Sequence, residues 1–317
     1  MSGERAVLCL GEALVDVVSR PEGTVEHVGG SLLNVACGLA TLGDPASICA
    51  WWGKDERGDR LARWARSAGV SVVAGTDGAA RTALAYARLD EQGRATYEFD
   101  LTWSVPEIGD LSGYGHLHTG SIAATLEPGG SQVLDVVERM RRVGTVSYDP
   151  NIRPALMGSP ADVLARVESL VARADLVKAS DEDLTWLYPG DAVEQVMRRW
   201  LAAGPSLVVV TRGPQGAVAV LAGERDLLGV DRLDVPIGDT VGAGDSFMAG
   251  LISGLLAAGL LGSVQARDRL RGARWSQVRP ALNRAVVTSA LTVRQRGAFA
   301  PTMAQVRAVQ DAEPGLR

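Results

Sequence analysis

A mostly parallel β-sheet covered on both faces by helices, with a small second sheet, is the fold class this sequence predicts. Three observations carry it. Short runs that are apolar throughout recur along the chain, as in strands buried on both faces. Between them lie stretches with helical periodicity, and strand–helix–strand alternation means parallel strands with helices on both sides. Finally, a few early strand-like segments follow one another without helices, so they fall outside that pattern and suit a separate small sheet.

In chain order, Ala6–Leu10 is a continuous apolar run ending at Gly11, which predicts a buried strand. Leu14–Ser19 alternates apolar and polar, with only Gly11 to Ala13 between it and the first strand. Leu32, Leu33, Val35, Ala36, Leu39, Ala40 and Leu42 mark a helix stopped by Gly43. Ala46–Trp51 reads as a strand and Glu56–Ala68 as a helix closed by Gly69. Leu84–Leu89 and Ala95–Phe99 flank Asp90-Glu91-Gln92-Gly93-Arg94, a hairpin signal. Further strands are predicted at His116–Leu117, Thr145–Tyr148, Leu176–Lys178 and Leu207–Thr211. Helices are predicted over Gly130–Val143, Pro160–Ala174, Ala192–Ala203 and Gly244–Gly259. The whole chain, 1–317, reads as one domain, with lid strands drawn from about 12–28 and 84–101. Ala266–Arg279 is rich in Arg and is expected to be a solvated face. Ligands of such sheets bind beyond the carboxyl ends of the strands.

Composition narrows the function. The 32 basic and 37 acidic residues leave a net charge of −5, which argues against nucleic acid as a partner. A phosphate ligand stays open, because backbone N–H groups bind anions without Lys or Arg. Cys9, Cys37 and Cys49 sit in apolar runs without paired spacing and read as buried reduced thiols. His27, His116 and His118 join them in no zinc-ligand spacing. Met1 to Arg5 lack the marks of a signal peptide, and Phe247 to Leu261 is too short and too interrupted to span a bilayer. A cytoplasmic protein without a membrane partner is expected. Trp51, Phe99 and Trp103 are candidates for a ligand-facing surface, although aromatic side chains more often belong to a core.

The most informative stretch is Asp239-Thr240-Val241-Gly242-Ala243-Gly244-Asp245-Ser246-Phe247. A turn of small residues leads into a helix whose apolar positions are Phe247, Met248, Leu251, Ile252 and Leu255. Such a turn brings several N–H groups onto one point, and the helix dipole adds partial positive charge there. Gly242, Ala243 and Gly244 therefore form a candidate anion hole for a phosphoryl group in transfer. Asp245 sits beside it, where a carboxylate can accept the proton of an attacking alcohol. The same Asp also suits a plain role in the first turn of a helix.

This stretch resembles the D-T-x-G-A-G-D-S/T-F signature of the ribokinase (PfkB-type) family of carbohydrate kinases. A second signature of that family is matched by Gly29-Gly30, Asn34-Val35-Ala36, Leu39-Ala40 and Leu42-Gly43. The two lie near the start and near the end of the chain, as in the family, so the resemblance spans nearly all of it. It implies a ribokinase-like three-layer α/β/α sandwich, with a mostly parallel central sheet and a small β-strand lid. The implied activity is transfer of the γ-phosphoryl group of ATP to a sugar hydroxyl.

Residue by residue, the resemblance implies that Asp245 is the base and that Gly242, Ala243 and Gly244 are the anion hole. Asp16 would accept from sugar hydroxyls, Gly29 and Gly30 would let the backbone approach the sugar, and Asn34 would bond to it. Thr211, Gly213 and Gly216 resemble the family's T-x-G-x-x-G turn beside the nucleotide; alone they read as a tight turn between strands. Asp239, Val241 and Gly297 resemble a monovalent-cation site, for which K⁺ is the candidate ion. Where the family often has N-x-x-E, linked to Mg²⁺ through water, this chain has Ser180-Asp181-Glu182-Asp183. Oxygen ligands remain, so Asp183 is the Mg²⁺ candidate and Ser180 a nucleotide-side candidate. Both also suit a capping box at the start of a helix.

Gly11-Glu12-Ala13-Leu14-Val15-Asp16 and Asp149-Pro150-Asn151-Ile152-Arg153-Pro154 look most like bacterial fructokinases within the family. They also resemble 2-keto-3-deoxygluconate kinases, and ribokinase or nucleoside kinase remains an alternative. Arg153 follows a strand, at the ligand-bearing edge, and is a candidate for substrate contact or for pairing with a nearby acid. Unpaired lid edges suggest a homodimer.

Rival chemistries fit less well. Gly244-Asp245-Ser246 resembles the nucleophile block of some esterases, but no His follows Ser246. No P-loop G-x-x-x-x-G-K-S/T and no dinucleotide fingerprint after the first strand is present. A sugar-binding protein without catalysis, on the same fold, is the alternative of another class.

Overall fold

The computed structural model describes residues 6–20, 23–89 and 95–316. Residues 1–5, 21–22, 90–94, which carry the hairpin signal of the sequence, and 317 lie outside them. The strands are β1 (Ala6–Leu10), β2 (Leu14–Arg20), β3 (Gly23–Gly29), β4 (Ala46–Cys49), β5 (Ser71–Val72), β6 (Leu84–Leu89), β7 (Ala95–Asp100), β8 (Tyr114–Gly120), β9 (Thr145–Asp149), β10 (Leu176–Ser180), β11 (Leu207–Thr211), β12 (Ala217–Leu221) and β13 (Leu228–Val230). The helices are α1 (Ser31–Thr41), α2 (Glu56–Ser67), α3 (Gly129–Met140), α4 (Pro154–Met157), α5 (Pro160–Val171), α6 (Asp181–Leu187), α7 (Val193–Ala203), α8 (Ala243–Ala257), α9 (Val264–Arg271), α10 (Trp275–Val293) and α11 (Met303–Ala312).

Nine strands form the large sheet in the order β13-β12-β11-β10-β9-β8-β1-β4-β5. Every pair from β5 to β11 is parallel, and only β12 and β13 join antiparallel. The apolar runs explain this. Side chains alternate sides along a strand, and each side here meets its own helical layer. Val7 and Cys9 of β1 pack into the core that includes α1, α8 and α10, whereas Leu8 and Leu10 pack into the core that includes α3, α5 and α7. In β11, Leu207 and Val209 face the first core and Val208 and Val210 the second. A strand buried on both faces has no polar positions to spare, hence the uninterrupted LVVV.

The chain winds from β1 outward to β4 and β5, then returns to the other side of β1 to lay down β8 through β11. The winding reverses between β1 and β8, and the carboxyl ends of these two strands open the crevice where such sheets take ligands.

The second sheet has four strands in the order β3-β2-β6-β7. Its pairings are antiparallel at both edges and parallel between β2 and β6 in the middle. It is thinner in packing. Leu14, Ala83 and Ala85 form only a small satellite cluster with Phe99 and Leu101, while Val15, Val17 and Leu84 reach the main core. The alternating sequence of β2 follows from this uneven burial, with Val15 and Val17 in the main core and Asp16 and Val18 between and beyond them half-buried. The Arg-rich stretch 266–279 is mostly exposed, with one correction. Arg267 is drawn inward, its Nε donating to Asp175 Oδ1 at 2.7 Å. Among the described residues no helix is long and apolar enough to cross a membrane. All three cysteines are free and buried, and burial pushes each thiol's pKa up.

Candidate active site

The carboxyl ends of β1, β8, β9, β10 and β11 place Gly11, Gly120, Asp149, Ser180 and Thr211 along one edge of the large sheet. Above this edge two helices begin. Helix α8 starts at its N-cap Gly242, which has φ 76° and no capping side chain. Left-handed backbone is natural only for Gly, and a Cβ here would also come within 2.7 Å of the Ala298 Cβ. The Ala243 N–H is turned back onto Thr240 O at 3.2 Å. Among the described residues, no backbone carbonyl accepts from the amides of Gly244 and Asp245. They are the unsatisfied donors of a helix start, at its positive end.

Asp245 is the third residue of α8 and is half-buried. Its carboxylate is held from the second helix. Ser31 Oγ donates to Oδ1 at 2.6 Å and Asn34 Nδ2 donates to Oδ2 at 2.8 Å. Ser31 and Asn34 lie three apart and so share one face of α1. One turn on, that face carries Gly38, where a Cβ would stand 2.7 Å from the Ala249 Cβ of α8. The missing side chain lets the two helices close together near the carboxylate. Asn34, expected to bond sugar, is thus engaged with Asp245. Ser31 was missed, although its spacing from Asn34 in the Gly-Gly-Ser-Leu-Leu-Asn run was the signal that could have found it.

The paired glycines have separate reasons. A Cβ on Gly29 would collide with Asp16 Oδ2 across the β2–β3 pairing. Gly30 has φ 111°, and a Cβ there would lie 2.6 Å from Glu12 O and 2.7 Å from Ala13 Cα. Gly30 therefore presses the start of α1 against the loop after β1. That loop carries Glu12, and Asp16 lies just beyond it in β2. Burial raises the Asp16 pKa, and electrostatic interactions with His27 and Arg153 oppose it. Burial raises Glu12 to about 7, against a hydrogen bond with Ser121 and the charge of Arg153, while Asp245 adds to the rise. Arg153 is exposed and folds its Nη1 onto Ile152 O at 3.0 Å and Asn151 O at 3.3 Å, in electrostatic reach of both acids.

The remaining candidates lie further along the edge. Ser180 and Thr211 are register partners at the ends of β10 and β11. Beyond Thr211 a tight turn through Gly213 and Gly216, with φ of 48° and 79°, leads into antiparallel β12. Asp183 closes a capping box. Ser180 Oγ accepts from its N–H at 3.0 Å, and its Oδ2 accepts from Ser180 N at 2.8 Å. Its Oδ1 accepts from Ile152 N at 2.8 Å, which ties α6 to the loop after β9. The cation candidates also meet. Asp239 Oδ2 accepts from Gly297 N at 2.9 Å and Oδ1 from Val241 N at 3.1 Å. These bonds, that from Gly297 foremost, hold the Asp239 pKa below its usual value. Among the described residues there is no cluster of three or more His, Cys, Asp or Glu able to hold a metal ion. Of the aromatic candidates, Trp103 is buried in the core and donates Nε1–H to Ala123 O at 2.8 Å, whereas Trp51 is half-buried.

One buried ion pair escaped the sequence reading. Lys178 Nζ of β10 lies 2.7 Å from Asp149 Oδ2 of β9, with side-chain exposures of 5% and 3%. No spacing in the sequence marks it, because the two are brought together by pairing of neighbouring strands.

Comparison with known proteins bears on this arrangement. The model of the pfkB family carbohydrate kinases matches residues 4–304. A fructokinase of Rhizobium leguminosarum bv. trifolii is 31% identical over 269 residues, covering 80% of this chain and 81% of the relative. A fructokinase of Klebsiella pneumoniae is 33% identical over 267 residues, covering 79% and 84%. Among solved structures, the fructokinase of Vibrio cholerae O395 with fructose, ADP and calcium ion bound superposes with a TM-score of 0.77 at 28% identity, over 96% of this chain and 98% of that one. A double mutant of the Vibrio cholerae enzyme holds fructose, ADP and a potassium ion; its TM-score is 0.79 at 27% identity, over 96% and 98%. The ATP-bound fructokinase of Xylella fastidiosa, at 24% identity and TM-score 0.84 over 98% and 99%, shares the fold.

Proposed function

We propose that this chain, which belongs to the pfkB family of carbohydrate kinases, phosphorylates fructose on a primary hydroxyl at the site built around Asp245. The observation that carries the reading is the meeting of three things: an uncapped start of α8, a carboxylate beside it, and a second helix that fixes this carboxylate through Ser31 and Asn34. The fructokinase relatives and the fructose-bound structures support fructose as the acceptor.

In this mechanism the hydroxyl proton passes to the Asp245 carboxylate as the sugar oxygen bonds to the γ-phosphorus, and the bond from that phosphorus to ADP breaks. The Gly244 and Asp245 amides and the positive end of α8 stabilise the charge on the transferring group. Fixed donors of this kind typically contribute about 10²–10³ in rate. Asp16 accepts from sugar hydroxyls, in space kept clear by Gly29, and Arg153 faces the same region. Thr211, Gly213 and Gly216 border the nucleotide side, next to Ser180. Mg²⁺ bound with the nucleotide would supply positive charge to its phosphates, and Asp183 would hold it through water by its remaining lone pairs, since each of its oxygens already accepts an N–H. K⁺ is assigned to the loop of Asp239, Val241 and Gly297, as the potassium-bound Vibrio relative supports.

The four-stranded sheet acts as a lid that keeps water from the γ-phosphate. Its edge strands β3 and β7 pair two chains into a dimer; a light-scattering mass of one chain at working concentration contradicts that. The cytoplasm is the compartment proposed for it, a reading that its use of ATP and its three free cysteines support. The test of the function is ADP release from ATP and Mg²⁺ with a panel of fructose, ribose, 2-keto-3-deoxygluconate and nucleosides. Fructose is expected to give the highest kcat/KM. Stimulation by another member alone contradicts the substrate, and stimulation by none contradicts the proposed turnover.

A further inference from the structure

Only two of the 32 basic residues of this chain are lysines, Lys54 and Lys178. Lys54 is exposed beside Asp77. Lys178 is 4% exposed, in the middle of a parallel strand whose neighbours Leu176, Val177 and Ala179 are fully buried. An ammonium ion is costly to place there. Its attraction to a partner does little more than offset the lost hydration, and an apolar pair of similar volume is often as stable. Fold stability alone is thus a weak reason for this residue.

Its surroundings give a stronger one. The Nζ atom donates to Asp149 Oδ2 at 2.7 Å, which uses one of its three N–H donors. It also stands 3.0 Å from where a Cβ on Gly244 would be, so the missing side chain of that glycine leaves the ammonium against the first turn of α8. Three carboxylates surround it electrostatically: Asp149, Asp183 and Asp245. Burial works to strip its proton, and these carboxylates outweigh burial and hold its pKa up. Burial likewise raises the Asp149 carboxyl, to about 6, and Lys178 opposes this. Strand pairing brings β9 and β10 together and so sets the pair. In a chain with only two lysines, a compact point charge on a flexible stem stands where a planar guanidinium would need more room.

We infer that Lys178 is a further catalytic residue: its ammonium, positioned by Asp149, donates to a non-bridging oxygen of the phosphoryl group as that group passes over Gly244. This rests on the function proposed above. Lys178 keeps its proton throughout. The sugar hydroxyl proton goes to Asp245, the new O–P bond forms as the bond to ADP breaks, and the positive charge of Lys178 offsets charge on the oxygens in flight.

The experiment compares the wild-type enzyme with Lys178→Met, Lys178→Arg and the charge-neutral double variant Lys178→Met/Asp149→Leu. Steady-state kcat and KM are measured with ATP and fructose, and fructose binding is measured by calorimetry. In the single Met variant and the double variant, kcat is expected to fall by about 10²–10³. Fructose affinity is expected to stay within about twofold of wild type, since the residue serves the phosphoryl group and not the sugar. Lys178→Arg keeps the charge but not the shape, and is expected to lose kcat as well. A folded double variant whose kcat stays within about threefold of wild type overturns the inference. So does failure of both Met-bearing variants to fold, which assigns the pair to the fold. If the wild-type enzyme itself shows no fructose-stimulated ADP release, the proposed function has failed, and that result is distinct from either of these.

Discussion

Helices α6 and α8 begin at the same edge of the same sheet region, and each carries an Asp as its third residue. They use it in opposite ways. In α6 the N-cap is Ser180, and Ser180 and Asp183 close on each other in a capping box, with Asp183 also taking the Ile152 amide. The helix start is satisfied by its own residues. In α8 the N-cap is Gly242, no side chain caps the end, and the Asp245 carboxylate is turned away to Ser31 and Asn34. The amides stay free for an anion. One Asp therefore closes its own helix start and the other, in the proposed mechanism, serves as the base, and the difference lies in the cap residue and in what each carboxylate accepts.

The largest effect that tests this contrast is on turnover. Asp245→Ala is expected to lower kcat by about 10²–10⁴. Its cost to stability is expected to be about 1 kcal/mol, because the two bonds it loses are only part-buried. Giving α8 a side-chain cap is the next step. Gly242→Ser forces a non-glycine into the left-handed region against Ala298 and offers a hydroxyl to the amides that the proposed mechanism gives to the phosphoryl group. A fall in kcat of about 10²-fold is expected, on the scale of a lost oxyanion donor, measured as fructose-dependent ADP release.

Glu12 sharpens the contrast through pH. Its folded pKa is raised from 4.5 to about 7, so between these values the folded chain holds a proton that the unfolded chain has released. Stability from this group is therefore highest below about pH 4.5 and declines as pH rises to about 7. Glu12→Gln removes that decline. Relative to wild type, the variant is expected to gain up to about 3 kcal/mol above pH 7, read from urea unfolding at pH 5 and pH 8. An unchanged difference between the two pH values contradicts it. The smallest effect belongs to the capped helix. Asp183→Ala is expected to cost about 2 kcal/mol through its buried amide partners and to change kcat by less than about tenfold.

Much of this was legible in the sequence, for physical reasons. Strands buried on both faces are written as unbroken apolar runs, so Ala6–Leu10 and Leu207–Thr211 match the expected bounds, whereas His116–Leu117 proved to be the middle of Tyr114–Gly120. That longer strand hides because His116 and His118 look polar. Both are buried among Thr145 and Ser147 hydroxyls, and burial lowers their pKa values to about 3. Helix ends drifted by a few residues, as in Gly129–Met140, which gives way to turn residues before it reaches the Gly144 that marked its expected stop. The candidate site was legible where a local motif encodes local geometry: Gly29-Gly30, the 239–247 run and the Ser180–Asp183 box. It was not legible where geometry is made by distant segments. Nothing in the sequence tells that Asn34 serves Asp245, that Lys178 meets Asp149 or that β2 pairs parallel with β6.

The contrast is tested most directly by measuring kcat with fructose and the melting temperature on Asp245→Ala and Asp183→Ala side by side. The account predicts that Asp245→Ala loses turnover by at least about 10²-fold with its melting temperature lowered by only about 1–2 °C, and that Asp183→Ala melts about 3 °C lower with most of its turnover kept. Normal turnover in a folded Asp245→Ala enzyme would contradict it.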